Sequence, residues 1–335
     1  MRPSLPSAHA RRRSAPAVAR TLAALAPVAA LSLPVHAQDW PVKPVRIVVP
    51  FAPGGATDVV TRVFAQRFQE SFAQPFVIEN RGGAGGLLGA QAVSKAAPDG
   101  YTLVMGTTGT HAINATLYEK TGFDPLREFA PITRVALLPN MIIVHPSLPA
   151  RTVKELIALA RRQPGVLNYA TAGNFLFMSG EVFRQQAGIE MTAIPFKGSG
   201  LAMSAVMSGD VALSVTTVGT ALPHLRAGKL RAIAVTSARR MALVPDVPTV
   251  MESGLPGHET VAWYGLFAPA GTGTPILSRL ATEVARLARL PEVRDALALQ
   301  GAEAVSDTPG EFAAIVKADV ARWGEVVRRT GVRAD

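Results

Sequence analysis

Apolar positions along the chain follow two alternating rhythms. "VRIVV" (45–49) is a continuous β-branched run that predicts a buried strand. Behind it, apolar residues at 59, 60, 63, 64, 68 and 72 recur close to the 3.6 period and predict a helix over 57–73. The same alternation predicts a strand at 75–80, a helix at 86–97 and a strand at 101–106. A long extended apolar stretch occupies 135–146, and "TVKE" (152–155) is a capping box that opens a helix over 152–163. Three strand–helix pairs follow at 167–171 and 177–188, 191–196 and 200–208, and 211–217 and 218–227, then a strand at 230–237. A second extended apolar segment lies at 262–270, and helices over 275–290, 291–300 and 309–330 finish the chain.

Strands alternating with helices imply parallel or mixed sheets flanked by helices, an α/β fold. About nine strands are many for one sheet, and domains of about 50–200 residues are usual, so two α/β lobes are expected. The stretches 135–146 and 262–270 are the candidate connecting strands. One lobe would comprise 38–138 together with 262–335, and the other 139–261.

The first 37 residues stand apart. They carry Arg2, Arg11, Arg12, Arg13 and Arg20 and no acid, then the apolar run "TLAALAPVAALSL" and the small-residue site "VHA". That is the plan of a secretory signal peptide over 1–37, and the apolar run is shorter than the ~20 residues a membrane span takes. Its removal lowers the formal charge from +10 to +5, because five arginines and no acids leave with it. The remaining basic residues are scattered, without interleaved aromatics, so nucleic acid is not an expected partner. Cysteine is absent, which excludes disulfide and thiol chemistry. A soluble periplasmic monomer is expected.

Candidate reactive groups are few. His111, His145, His224 and His258 are widely separated, and no metal-binding spacing occurs. There is no nucleophile elbow and no phosphate loop. "RGGAGGLLGA" (81–90) follows a strand and opens a helix, but its glycines do not keep the dinucleotide spacing, so a tight turn with close packing is expected and no cofactor. What recurs instead is a strand ending in small and polar residues before a helix: "PFAPGGATD" (50–58), "MGTTGTH" (105–111), "NYATAGN" (168–174) and "TTVGT" (216–220). Helix starts carry unpaired N–H groups and partial positive charge, which suits an anion. Ligands of open α/β sheets sit beyond the carboxyl ends of the strands. Thr107, Thr108, Thr171, Ala172, Gly173, Asn174, Thr216 and Thr217 are the candidates in three of these loops. The pattern describes a binding protein, not an enzyme.

These stretches, with "PVRIVVPFAPGGATDVVTRVFAQRF", "VIENRGGAGGLLGAQAVSKAAPDGYTLVMG", "IPFKGSG", "PHLRAGKLRAIAV", "VPDVPTVMESGLPG" and "WYGLFAPAGT", resemble the tripartite tricarboxylate transporter substrate-binding (Bug) receptors from about residue 40 to the C-terminus. The resemblance implies a two-lobed periplasmic binding-protein fold of type II-like organisation, each lobe a mixed sheet flanked by helices, with the ligand cleft between lobes that close. It implies a small carboxylate as ligand and a membrane permease of a tripartite tricarboxylate transporter as partner. It places one jaw at Phe51, Ala52, Pro53, Gly54, Gly55, Thr57 and Asp58. There the Gly54–Gly55 pair would admit the ligand to main-chain N–H groups, Thr57 would cap the helix or touch the ligand, and Asp58 would order the loop. The second jaw departs from the family. Phe177 stands where a histidine is common and Thr216 where an aspartate is usual. Phe175, Leu176 and Phe177 would either line the pocket, favouring a carboxylate with an apolar or aromatic body, or point into the core. The alternatives are a secreted α/β enzyme acting on a small carboxylate, or a sensing receptor without transport.

Overall fold

The first strand, β1 (Val45–Val49), is buried at every position except Arg46. Apolar runs of this kind arise where both faces of a strand are covered, and its side chains divide accordingly. Val45, Ile47 and Val49 enter one core cluster, and Val48 enters another. The computed structural model describes residues 40–334; the leader read at 1–37 lies outside them.

After β1 come α1 (Ala56–Phe72), β2 (Phe76–Asn80), α2 (Leu87–Ser94), β3 (Thr102–Thr107) and the short α3 (Asn114–Leu117). The long strand β4 (Phe129–Val144) leads into α4 (Val153–Arg162), β5 (Asn168–Thr171), α5 (Asn174–Ala187), β6 (Thr192–Pro195) and α6 (Ser199–Ser208). β7 (Leu213–Thr217), α7 (Val218–Arg226) and β8 (Arg231–Val235) follow. β9 (Val261–Pro269), α8 (Thr274–Leu287), α9 (Pro291–Ala298), β10 (Glu303–Ala304) and α10 (Pro309–Thr330) complete the order. The strands run β2-β1-β3-β9-β4-β7-β5-β6, with β8 and β10 also paired to β4. β1 is parallel to β2 and β3, β5 is parallel to β6 and β7, and β9 and β4 run antiparallel to their neighbours.

β4 joins the two halves of this sheet. From Phe129 to Pro139 it pairs with β9, and from Asn140 to Val144 with β7. Each half then has a core on both faces. On the second half Ile142 and Val144 enter one cluster and Met141 and Ile143 another, as successive side chains of a strand must. The fold is the mixed α/β, two-lobed arrangement expected of it.

Several boundaries differ from the sequence reading. β4 begins at Phe129, earlier than the stretch 135–146, because bulges between Pro131 and Thr133 and between Arg134 and Ala136 absorb Pro131 and break the alternation. α5 begins at Asn174, not 177, because Gly173 is its N-cap. The π-helical turn Gly109–Ile113, α3 and β10 carry no periodicity long enough to read. The glycine run at 81–90 makes a tight turn with close packing: a Cβ on Gly89 would lie 2.6 Å from the Arg81 carbonyl oxygen. The capping box at Thr152 and Glu155 forms as read.

Candidate functional site

A cavity of about 670 Å³ lies at the carboxyl ends of the strands. The segments entering it follow β1, β3, β5, β6 and β7, and most open directly into a helix. Gly55, Gly173, Gly198 and Thr217, the N-caps of α1, α5, α6 and α7, all line it. None of the four helices has a side-chain cap hydrogen bond. Elsewhere α4 and α10 carry complete capping boxes, and α8 and α9 place proline in their first turns. First-turn N–H groups have no intrahelical partner. The uncapped ends therefore leave donors and partial positive charge at the cavity wall.

The side chains agree in sign. Among the described residues no aspartate, glutamate or histidine lines the cavity, and Lys197 is the one charged residue that does. Asn140, Asn174, Thr57, Thr107, Ser199, Thr217, Thr220, Tyr264 and Gln300 supply neutral polar groups, and Phe51, Leu138, Phe175 and Leu176 supply apolar wall. Burial pushes the Tyr264 phenol up, opposed by its hydrogen bond with Thr57. Nothing here pairs a nucleophile with a base. The buried His111 stacks on Phe267 at 4.1 Å, and burial lowers it to about 3. Among the described residues no cluster of three potential metal ligands occurs.

The sequence profile described as "Tripartite tricarboxylate transporter family receptor" matches residues 60–332. The chain belongs to this family. It is 34% identical over 308 residues to "Protein BugT" of Bordetella pertussis, covering 91% of this chain and 94% of that one. Among solved structures it is similar to "R. palustris Rpa4515 with adipate", at a TM-score of 0.81 and 38% identity over 88% of this chain and 99% of that chain. It is also similar to "MatC (Rpa3494) from Rhodopseudomonas palustris with bound malate", at a TM-score of 0.77 and 36% identity over 86% and 99% of the respective chains.

Against this tripartite tricarboxylate receptor frame the residues read from sequence separate into two groups. Phe51, Ala52, Pro53, Gly54, Gly55, Thr57, Thr107, Ala172, Gly173, Asn174 and Thr217 line the cavity. Asp58, Thr108, Thr171, Phe177 and Thr216 do not. Asp58 is buried beneath the 51–55 loop. Burial opposes its ionisation, but hydrogen bonds from Arg62, the Gly54 N–H and Asn80, together with the Arg62 charge, hold its carboxyl below the usual range. Thr108 Oγ1 accepts the Trp263 N–H at 2.8 Å, which ties it to β9. Thr216 precedes Thr217 on β7 and so faces the other side of the sheet. Thr171 is buried at the end of β5. Phe175 and Phe177 both pack on the cluster that contains Trp323, and of the three residues 175–177 only Phe175 and Leu176 also reach the cavity.

Gly54 borders the open cavity, but its own N–H is not among the free donors. Its φ of 80° favours glycine, a Cβ there would meet nothing within 4 Å, and its N–H is already taken by Asp58. The free donors of this jaw therefore begin beyond it, in the first turn of α1. The 197–200 segment also lines the cavity and is not among the residues read from sequence, although "IPFKGSG" repeats the strand-end pattern of the other loops. Asn140 was missed too. Its only signal is one polar residue inside "VALLPNMIIV". Tyr264 and Leu138 cannot be told from core residues by sequence.

Proposed function

We propose that this protein is an extracytoplasmic solute receptor that binds a small carboxylate between two closing lobes. The lobes are 38–138 with 262–335, and 139–261, and they meet where β4 passes from β9 to β7. The observation that carries this reading is the convergence of four uncapped helix N-termini on one cavity with a single cation and no acid in its wall. The ligand carboxylate sits on main-chain N–H groups of residues 55–57 and of the facing loops, and closure excludes water and strengthens those bonds. Phe51, Leu138, Phe175 and Leu176 pack the ligand's apolar body. The solved relatives with adipate and malate make a small dicarboxylate the first candidate. The family supports a periplasmic location, with the leader at 1–37 removed on export and the loaded receptor delivered to a tripartite tricarboxylate permease.

A calorimetric and thermal-shift panel tests this reading with adipate, malate, benzoate, glutamate and putrescine. Acids lacking an amino group are expected to bind reversibly at one site and to raise the melting temperature, and putrescine is expected to do neither. A ligand at about 100 times its Kd adds about 2.7 kcal/mol to stability. Failure of every acid to bind, or turnover of any of them, contradicts the reading.

A further inference from the structure

Asn140 sits in the cavity wall, is 1% exposed, and has no hydrogen-bond partner for either its Nδ2 or its Oδ1. Its main chain is fully engaged: the N–H donates to Thr236 Oγ1 at 3.1 Å, and the carbonyl accepts the Thr236 N–H at 2.8 Å. The side chain alone is left over. Buried amides are nearly always paired, because an unpaired one forfeits its hydration without return. The χ2 torsion of asparagine is broad, so no strong torsional barrier opposes turning the amide toward a guest group. Asn140 faces Thr217 in the β4–β7 register. Thr217 Oγ1 lies 2.8 Å from Thr220 Oγ1, and both residues line the same cavity. The result is an uncharged polar patch next to the apolar wall, where Asn140 meets the N-terminal turn of α7.

We infer that Asn140 is a specificity-determining residue that reads a second, uncharged polar group on the carboxylate ligand. This rests on the receptor reading above. A bare carboxylate oxygen satisfies the amide's donors and leaves its acceptor unpaired. A hydroxyl or a carboxamide supplies both a donor and an acceptor and satisfies the whole amide. The preferred ligand class is therefore a hydroxy- or amido-carboxylate, chosen over the plain acid of the same length.

The test uses matched pairs: succinate and malate, glutarate and 2-hydroxyglutarate, and adipate and its monoamide. Affinities are measured by calorimetry on the natural protein, on Asn140→Leu, which is similar in size, and on Asn140→Ala, which cannot clash. The natural protein is expected to favour the hydroxyl or amide member of at least one pair by about tenfold or more. Both variants are expected to bring that ratio close to one, with the hydroxyl or amide member losing more than the plain acid. The unliganded Asn140→Leu protein should melt no lower than the natural one. A natural protein that binds pair members equally, or a variant that keeps the preference, overturns this inference and leaves the receptor reading standing. Variants that weaken both members of each pair alike assign Asn140 a structural role and also overturn it. Binding of no acid by the natural protein overturns both.

Discussion

Asp58 Oδ2 accepts the main-chain N–H of Gly54 at 2.9 Å. The same carboxylate takes the Arg62 Nε–H at 2.9 Å and, through Oδ1, the Asn80 Nδ2–H at 2.9 Å. The acid below the 51–55 loop thus acts as its brace, and its charge is already spoken for. Asp58→Ala is predicted to weaken carboxylate binding about tenfold, although Asp58 does not line the cavity. Bonds to a charged group are worth about 1.5–3 kcal/mol, so a fall of several degrees in melting temperature should accompany the weaker binding. Arg62→Ala should cost less, because that side chain is 55% exposed and water replaces part of what it loses. Equal binding by Asp58→Ala and the natural protein contradicts the bracing role.

The two buried histidines predict acid sensitivity. Burial holds His111 neutral down to about 3, and burial together with the Arg322 charge holds His258 neutral down to about 4. Unfolded, both take up a proton near 6.5. The unfolded state then binds more protons below that value, and stability falls as pH drops from about 6.5 toward 4. The slope within the window is about 1.4 kcal/mol per pH unit for each histidine. Asp319, pushed up by burial, acts in the opposite sense. Melting temperatures between pH 7 and 4.5 check this, and His258→Asn should flatten the curve. An unchanged slope in that variant contradicts the assignment.

The contact between α7 and the end of α9 predicts a closure variant. A Cβ on Gly219 would sit 2.5 Å from the carbonyl carbon of Gln300, an approach that only glycine permits. Gly219→Ala is predicted to hold the proposed lobes apart and weaken binding of a tested dicarboxylate. Overpacking typically costs about 1–3 kcal/mol, which should appear mainly in the affinity of the closed, liganded form. A titration with adipate and a melting curve without ligand separate the two. Loss of unliganded stability with affinity retained contradicts closure at this contact.

The fold was readable because burial on both faces of a strand writes an unbroken apolar run, as at Val45–Val49, and because helix faces repeat cleanly, as in α1. Strand-end loops were readable where small residues cluster before a helix, hence Gly55, Gly173 and Thr217. What escaped was information held only in three dimensions. Thr216 and Thr217 are chemically alike, and only the register of β7 sends one to the cavity and the other away. Phe175 and Phe177 differ by their positions in the first turn of α5, whose start was read three residues late. Asn140 resembles a chance polar residue in a strand until its unpaired amide is seen.

The apolar wall predicts a chain-length effect. Phe175 lines the cavity and also meets the edge of Trp323, with ring centroids 5.5 Å apart. Phe175→Ala is predicted to weaken binding of adipate more than of malate, since the longer acid has more methylene surface to cover and each buried methylene is worth about 0.8 kcal/mol. Equal losses for the two acids would place Phe175 in the core alone.

The central claim is that main-chain N–H groups at uncapped helix ends hold the carboxylate. A crystal structure with one acid from the panel, at a resolution that places its carboxylate oxygens, tests it most directly. The predicted result is a carboxylate in the 670 Å³ cavity, hydrogen-bonded directly or through ordered water to the N–H groups of residues 55–57 and of a facing loop. A carboxylate held by side chains alone, or a ligand outside the cavity, would contradict the account.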